Sequence, residues 1–184
     1  MRIVGGRLKG RALKGPAADA IRPTSDRLRE TLFNILIHSY GDSIEGARVL
    51  DLFAGTGAMA IEALSRGARF ALFVDQSAEA CALIRTNVET FGLGEATRIL
   101  RRDARKLGAA SVDDGFSLAF LDPPYGEGLA PQALVALRDG GWLDNDALVL
   151  IEEAAQAEVT LPEGFALIET RIYGDTQVMF ARAA

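Results

Sequence analysis

The stretch Asp122-Pro123-Pro124-Tyr125 closes an apolar run and gathers a carboxyl group, rigid backbone carbonyls and an aromatic ring into four residues. Two consecutive prolines lack the donor a sheet requires and hold φ near one value, so the stretch must end a strand and stays stiff. Fixed acceptors beside a ring suit a flat ligand that donates N–H bonds; a plain strand stop with an ordinary turn is the alternative. Three more acids end runs upstream. Asp51 lies four residues before Gly55, Asp75 eighteen after Gly57, and Asp103 closes the run that begins at Thr97.

Gly55 and Gly57 form G-x-G-x-x-A with Ala60 in the third place, a loop that leaves a strand, opens a helix and lets a nucleotide approach the backbone. A Walker-type phosphate loop is excluded, because the chain has no Gly-Lys dipeptide. Two ligand classes then compete, a dinucleotide and a nucleoside sulfonium such as S-adenosylmethionine. A carboxylate at Asp51 is unfavourable beside a diphosphate on a helix N-terminus and favourable beside a cationic amino-acid moiety. Asp75 can accept from both ribose hydroxyls, and Asp103 from an adenine amino group. Each Asp alone also suits a helix cap; acids ending three successive runs fit the sulfonium ligand better.

Two alternating periodicities supply the frame that positions these residues. Buried-strand runs at 47–53, 70–75, 97–103, 117–122 and 147–152 alternate with helical patterns at 58–67, 78–91 and near 131–138. Strands at 166–173 and 176–182 meet at Gly174-Asp175, a hairpin signal. The pattern predicts an α/β, Rossmann-like fold: a seven-stranded, mostly parallel sheet with an antiparallel last strand and helices on both faces. Upstream, Leu28, Leu32, Ile35 and Leu36 recur at helical steps, with His38 on the polar face. Residues 1–15, with Gly5, Gly6 and Gly10, read as a strand pair or irregular ribbon. Cys81 reads as a small buried apolar group and Trp142 as packing at the entry to the fifth strand.

The motifs "DLFAGTG", "FVDQ", "RRDA" and "LDPPYG", in this order and spacing, resemble the class I S-adenosylmethionine-dependent methyltransferases that modify exocyclic amino groups of bases. "RIVGGRLKGRAL", "RPTSDRLRETLFNIL" and "YGDTQVMFAR" are similar to the small bacterial 16S rRNA guanine-N2 methyltransferases of the RsmD type, over nearly the whole chain. The resemblance implies cofactor-binding residues at Asp51, Phe53, Ala54, Gly55, Gly57, Asp75, Gln76, Asp103, Ala104 and Asp122. It places the target base at Asp122, Pro123, Pro124 and Tyr125. Asp122 stands where many amino methyltransferases carry Asn, and Tyr125 where several carry Phe. An Asp122 carboxylate and the Pro123 carbonyl would accept from the amino N–H bonds and aim the nitrogen lone pair, while Tyr125 stacks on the base.

Residues 1–30 hold eight Lys/Arg against three acids in a chain of net charge −5. A basic segment on an acidic body points to an anionic partner. Arg2, Arg7, Lys9, Arg11 and Arg22 are expected to contact rRNA phosphates, within a basic extension at 1–23 that precedes a methyltransferase domain at 24–184. Arg101, Arg102 and Arg105 either extend that surface or pair with acids. The expected partner is 16S rRNA in an assembling small ribosomal subunit, met by a cytoplasmic monomer. One cysteine and one histidine cannot build a disulfide framework or a Cys/His zinc cluster, so no metal is expected. No apolar run approaches the roughly 20 residues a membrane span needs. Two rivals stay open: a methyltransferase acting on a DNA base or protein amide, and a non-catalytic RNA-binding module that retains the nucleotide pocket.

Overall fold

The computed structural model describes residues 1–16, 24–111 and 115–184. Its elements run α1 (Asp26–His38), β1 (Arg48–Leu52), α2 (Ala58–Ser65), β2 (Phe70–Asp75), α3 (Ala78–Thr90), β3 (Thr97–Arg101), β4 (Phe116–Leu121), α4 (Leu129–Gly140), β5 (Leu143–Ala154), β6 (Phe165–Tyr173) and β7 (Thr176–Ala183). The seven strands form one sheet in the order β3-β2-β1-β4-β5-β7-β6. β1 to β5 pair in parallel, and β7 runs antiparallel between β5 and β6.

Successive strand residues face opposite sides, so each buried strand serves two cores. Val49, Phe73, Leu118 and Phe120 pack with α1, α2 and α3 on one face. Leu50, Leu72, Ala119 and Leu121 pack with Ala133, Leu134 and Leu137 of α4 on the other. Full burial of each Val, Leu or Phe among them contributes about 1.5–3 kcal/mol. The chain order reverses between β1 and β4, and that reversal opens a crevice beyond their carboxyl ends.

Several boundaries differ from the sequence reading. α2 stops at Ser65 rather than at Gly67. α4 begins at Leu129, two residues before Pro131, since a proline in the first turn loses no intrahelical bond. β5 begins at Leu143 rather than 147: Asp146 has φ 61°, the register against β4 shifts between Phe116 and Leu118, and the polar "DND" hides the strand's start. His38 is exposed. Cys81 and Trp142 are buried, and the Trp142 indole donates to the Gly108 carbonyl (2.8 Å).

Residues 1–16 fold back as a ribbon bridged antiparallel between Arg2 and Ala12. Ile3, Leu8 and Leu13 enter the α1–α3 core. The clasp is Glu62 of α2, fully buried, which accepts from the Val4 and Gly5 N–H groups (both 2.9 Å) and pairs with Arg29 (3.2 Å) and Arg66 (2.9 Å). Arg29 is fully buried too; it also pairs with Asp26 (2.9 Å) and donates to the Arg2 carbonyl. One of the eight cations counted above is therefore structural, which trims the charge this end offers to a partner. Arg22 and the boundary at residue 23 lie outside the described residues.

Candidate active site

The glycine loop follows β1 at the crevice. Phe53 sits at φ 57°, a left-handed conformation that a bulky residue adopts only when its surroundings force it, and such strain gathers at functional sites. At Gly57 (φ 81°) a Cβ would stand 3.0 Å from the Phe73 ring, so a side chain there would press the ring out of place and strain the left-handed backbone. At Gly55 a Cβ would meet nothing within 4 Å and would project into the open crevice. Asp75, at the end of β2, fastens the loop by accepting from the Gly55 N–H (3.0 Å) and also accepts from the N–H of Ser77 (2.9 Å), the residue whose hydroxyl caps α3.

Asp51 points its carboxyl at the start of α2 and accepts from the Ala60 N–H (3.2 Å). Burial, with a smaller contribution from the charge of Asp75, pushes its pKa up to about 8. The folded state thus binds more protons at this group than the unfolded chain does. Its contribution to stability falls as pH climbs from the ordinary carboxyl range through about 8. Asp51→Asn is expected to raise the melting temperature of the ligand-free protein at pH 9 and to change little at pH 5; scanning calorimetry at both values checks this.

Asp122, Pro123, Pro124 and Tyr125 leave β4 on the opposite wall. Burial pushes the Asp122 pKa well up, and Glu152 and Asp51 add to it. Protonation is thereby favoured where the sequence reading expects a carboxylate. The Tyr125 hydroxyl is held by Glu152 Oε1 (2.9 Å) and Thr176 Oγ1 (2.8 Å), while its ring stays exposed. Glu153, buried beneath, accepts from the Gly126 N–H (2.9 Å) and pins the turn. A tethered ring on a doubly pinned turn is a prepared stacking surface.

One cavity of about 1060 Å³ joins the two walls. It is lined by Asp51, Phe53, Ala54, Gly55, Asp75, Gln76 and the Asp122–Tyr125 turn. Gly57 lies behind the lining. Asp103 and Ala104 are also not among the lining residues; the Asp103 carboxylate is held by the Arg105 guanidinium (2.8 and 3.1 Å), which keeps its pKa low. Arg105 thus pairs with an acid, Arg101 donates to the Gln76 carbonyl and Arg102 to the Leu107 carbonyl. Arg2, Arg7, Lys9 and Arg11 are exposed away from the lining. Arg11 is anchored to the Thr90 carbonyl and lies over the Phe91 ring.

Sequence reading missed Thr24, Arg27, Glu152, Tyr173 and Thr176, all of which line the cavity. Thr24 and Arg27 fall in "RPTSDRLRE", quoted above only for its resemblance. Among the described residues no group of three His, Cys, Asp or Glu is placed to hold a metal ion, and no helix is long and apolar enough to cross a membrane.

The family model described as Conserved hypothetical protein 95 matches residues 1–182. The chain is 38% identical to YlbH of Bacillus subtilis, over 97% of this chain and 96% of that protein. It is 35% identical to ribosomal RNA small subunit methyltransferase D of Escherichia coli, over 95% of this chain and 85% of that protein. Among solved structures, yhhF of Escherichia coli superposes with a TM-score of 0.84 at 31% identity, covering 100% of this chain and 97% of that one.

Proposed function

This chain belongs to the Conserved hypothetical protein 95 family, and from that premise we propose that it is an rRNA methyltransferase that moves a methyl group from S-adenosylmethionine to the exocyclic N2 amino group of a guanine in 16S rRNA. The observation that carries the reading is the single cavity that joins the strained glycine loop to the Asp122-Pro123-Pro124-Tyr125 turn. S-adenosylmethionine, when bound, supplies an electrophilic methyl on a positively charged sulfur.

The residues present fit that group. The open space beside Gly55 admits it, Asp75 lines the cavity with carboxylate oxygens that can accept from ribose hydroxyls, and Asp51 offers negative charge to its ammonium end. Phe53, Ala54 and Gln76 complete that wall. Asp103 takes the adenine amino group only by sharing an oxygen with Arg105, and Ala104 follows it. A cationic ligand must displace the proton that burial holds on Asp51, so affinity is expected to rise with pH up to about 8. Calorimetry in two buffers of different ionisation enthalpy reads the released proton.

On the facing wall the chain's own groups act on the amino nitrogen. Its lone pair is delocalised into the guanine ring and is a poor nucleophile. Accepting both N–H bonds at Asp122 and the Pro123 carbonyl draws the nitrogen toward a pyramidal geometry, which takes its lone pair out of conjugation with the ring. Pro124 fixes those acceptors, so little ordering cost remains on binding. Tyr125 stacks on a base that has left its helix or lies in a loop, worth about 1–3 kcal/mol.

Incubation of the protein and labelled cofactor with undermethylated small subunits, naked 16S rRNA, DNA and cell protein tests the reading. N2-methylguanosine in digested rRNA supports it; label only in DNA or protein overturns it.

The exposed Arg2, Arg7, Lys9 and Arg11 form the proposed phosphate-contacting surface, with Arg22 beside them in sequence. Ile3, Leu8 and Leu13 of the same segment belong to the core, so the surface is tested by point substitutions that leave them in place. Arg7→Ala with Lys9→Ala is expected to weaken rRNA binding and to reduce the slope of log affinity against log salt by about 0.7–0.9 per lost contact. A salt titration by filter binding checks it.

A further inference from the structure

To take the proton that the amino nitrogen sheds, Asp122 must be ionised, yet its surroundings favour the protonated acid. It is faced by Asp51 from β1 and by Glu152 and Glu153 from β5, with Tyr125 on its own turn and Arg27 lining the same cavity from α1. Thr24, just before α1 and only 9% exposed, places its hydroxyl between two of these carboxyls: Oγ1 is 2.8 Å from Glu152 Oε2 and 3.4 Å from Asp122 Oδ2. A hydroxyl can donate one bond and accept another at once. Donation to Glu152 leaves the Thr24 lone pair turned toward Asp122, where a protonated Asp122 can donate.

We propose that Thr24 and Glu152 form a proton relay that ionises Asp122 for catalysis. This rests on the methyltransferase reading above. Asp122 passes its proton to the Thr24 oxygen as Thr24 passes its own to Glu152 Oε2. One O–H bond forms and one breaks at threonine, one breaks at Asp122 and one forms at Glu152. No co-reactant is consumed, and net charge is unchanged. Asp122 is left as a carboxylate facing the amino N–H, ready to take the proton that nitrogen sheds as its new N–C bond forms. Thr24 and Glu152 act through Asp122 and are positioning residues. The Tyr125 bond to Glu152 Oε1 leaves Oε2 to Thr24, so one glutamate holds the stacking ring and receives the proton at separate oxygens.

The test is the pH dependence of single-turnover methyl transfer to small-subunit rRNA. Thr24→Val keeps the shape, removes the hydroxyl and leaves both carboxyls. It is expected to slow transfer about 10²-fold at neutral pH, with recovery at higher pH as solvent deprotonates Asp122 directly. Thr24→Ser, which restores the hydroxyl, keeps most of the rate, and calorimetric cofactor affinity stays the same in both. Glu152→Gln removes the negative neighbour, so the acid limb of the profile moves to lower pH. In that background Thr24→Val has no further effect, because the relay has lost its end. A Thr24→Val rate that matches the parent at every pH, a loss equal in Thr24→Ser, or additive losses in the double variant each overturn the relay. If the parent transfers no methyl to guanine N2, the functional reading has failed instead.

Discussion

Asp122→Ala is expected to abolish methyl transfer, with a single-turnover loss of about 10³-fold or more, while cofactor affinity is retained. Removing one preorganised polar partner of a reacting group typically costs 10²–10³-fold, and here the same change also removes the proton acceptor. The Pro123 carbonyl stays in place and cannot compensate alone. Asp122→Asn separates the two roles: its amide oxygen still accepts an N–H bond but takes no proton, so it retains more activity than alanine and loses the acid limb of the pH profile. Calorimetry with S-adenosylmethionine is the control, because a lost affinity would place Asp122 on the cofactor rather than on the base. The alanine variant should also melt higher than the parent. It relieves a carboxyl crowded by Glu152 and Asp51, an instance of stability given up for function.

Glu62→Gln is expected to lower unfolding free energy by about 3–5 kcal/mol, the usual result of breaking a buried ion pair from one side. Glutamine keeps the volume and one acceptor but leaves Arg29, fully buried, without its strongest counter-charge in α2. It also turns an amide N–H₂ toward either the Val4 or the Gly5 donor, whichever oxygen it replaces. The ribbon is held to the core by this clasp, so the variant should lose rRNA affinity along with stability. Urea unfolding gives the free energy. A midpoint within error of the parent would show that Asp26 and backbone carbonyls suffice to neutralise Arg29.

Much of the frame is legible in the chain because β2 and β4 are apolar runs closed by an acid, Asp75 and Asp122, and both end within one residue of the predicted places. β1 is as legible, since the glycine loop follows it directly. The walls at Asp51–Gly55, Asp75 and Asp122–Tyr125 were readable from local spacing. Thr24 and Glu152 were not, since 128 residues separate partners that meet at 2.8 Å and neither carries a local signature. Arg29 misled the charge count for a related reason. Nothing in "DRLRE" distinguishes a cation that faces solvent from one that closes a buried network with Glu62. Asp103 shows a further limit: its spacing says nothing of Arg105, two residues on, which pairs with the carboxylate.

The strand order β5-β7-β6 has a consequence for how the chain is made. β6 leaves the ribosome before β7, yet it joins the sheet only through β7, so it must wait as an unpaired strand with its backbone donors and acceptors unmet. β7 inserts last and brings Thr176 to the Tyr125 hydroxyl. Vectorial synthesis therefore builds the glycine loop early and locks the base-stacking rim at the end, and a chain stalled before residue 176 holds one wall of the cavity without the clamp on the other.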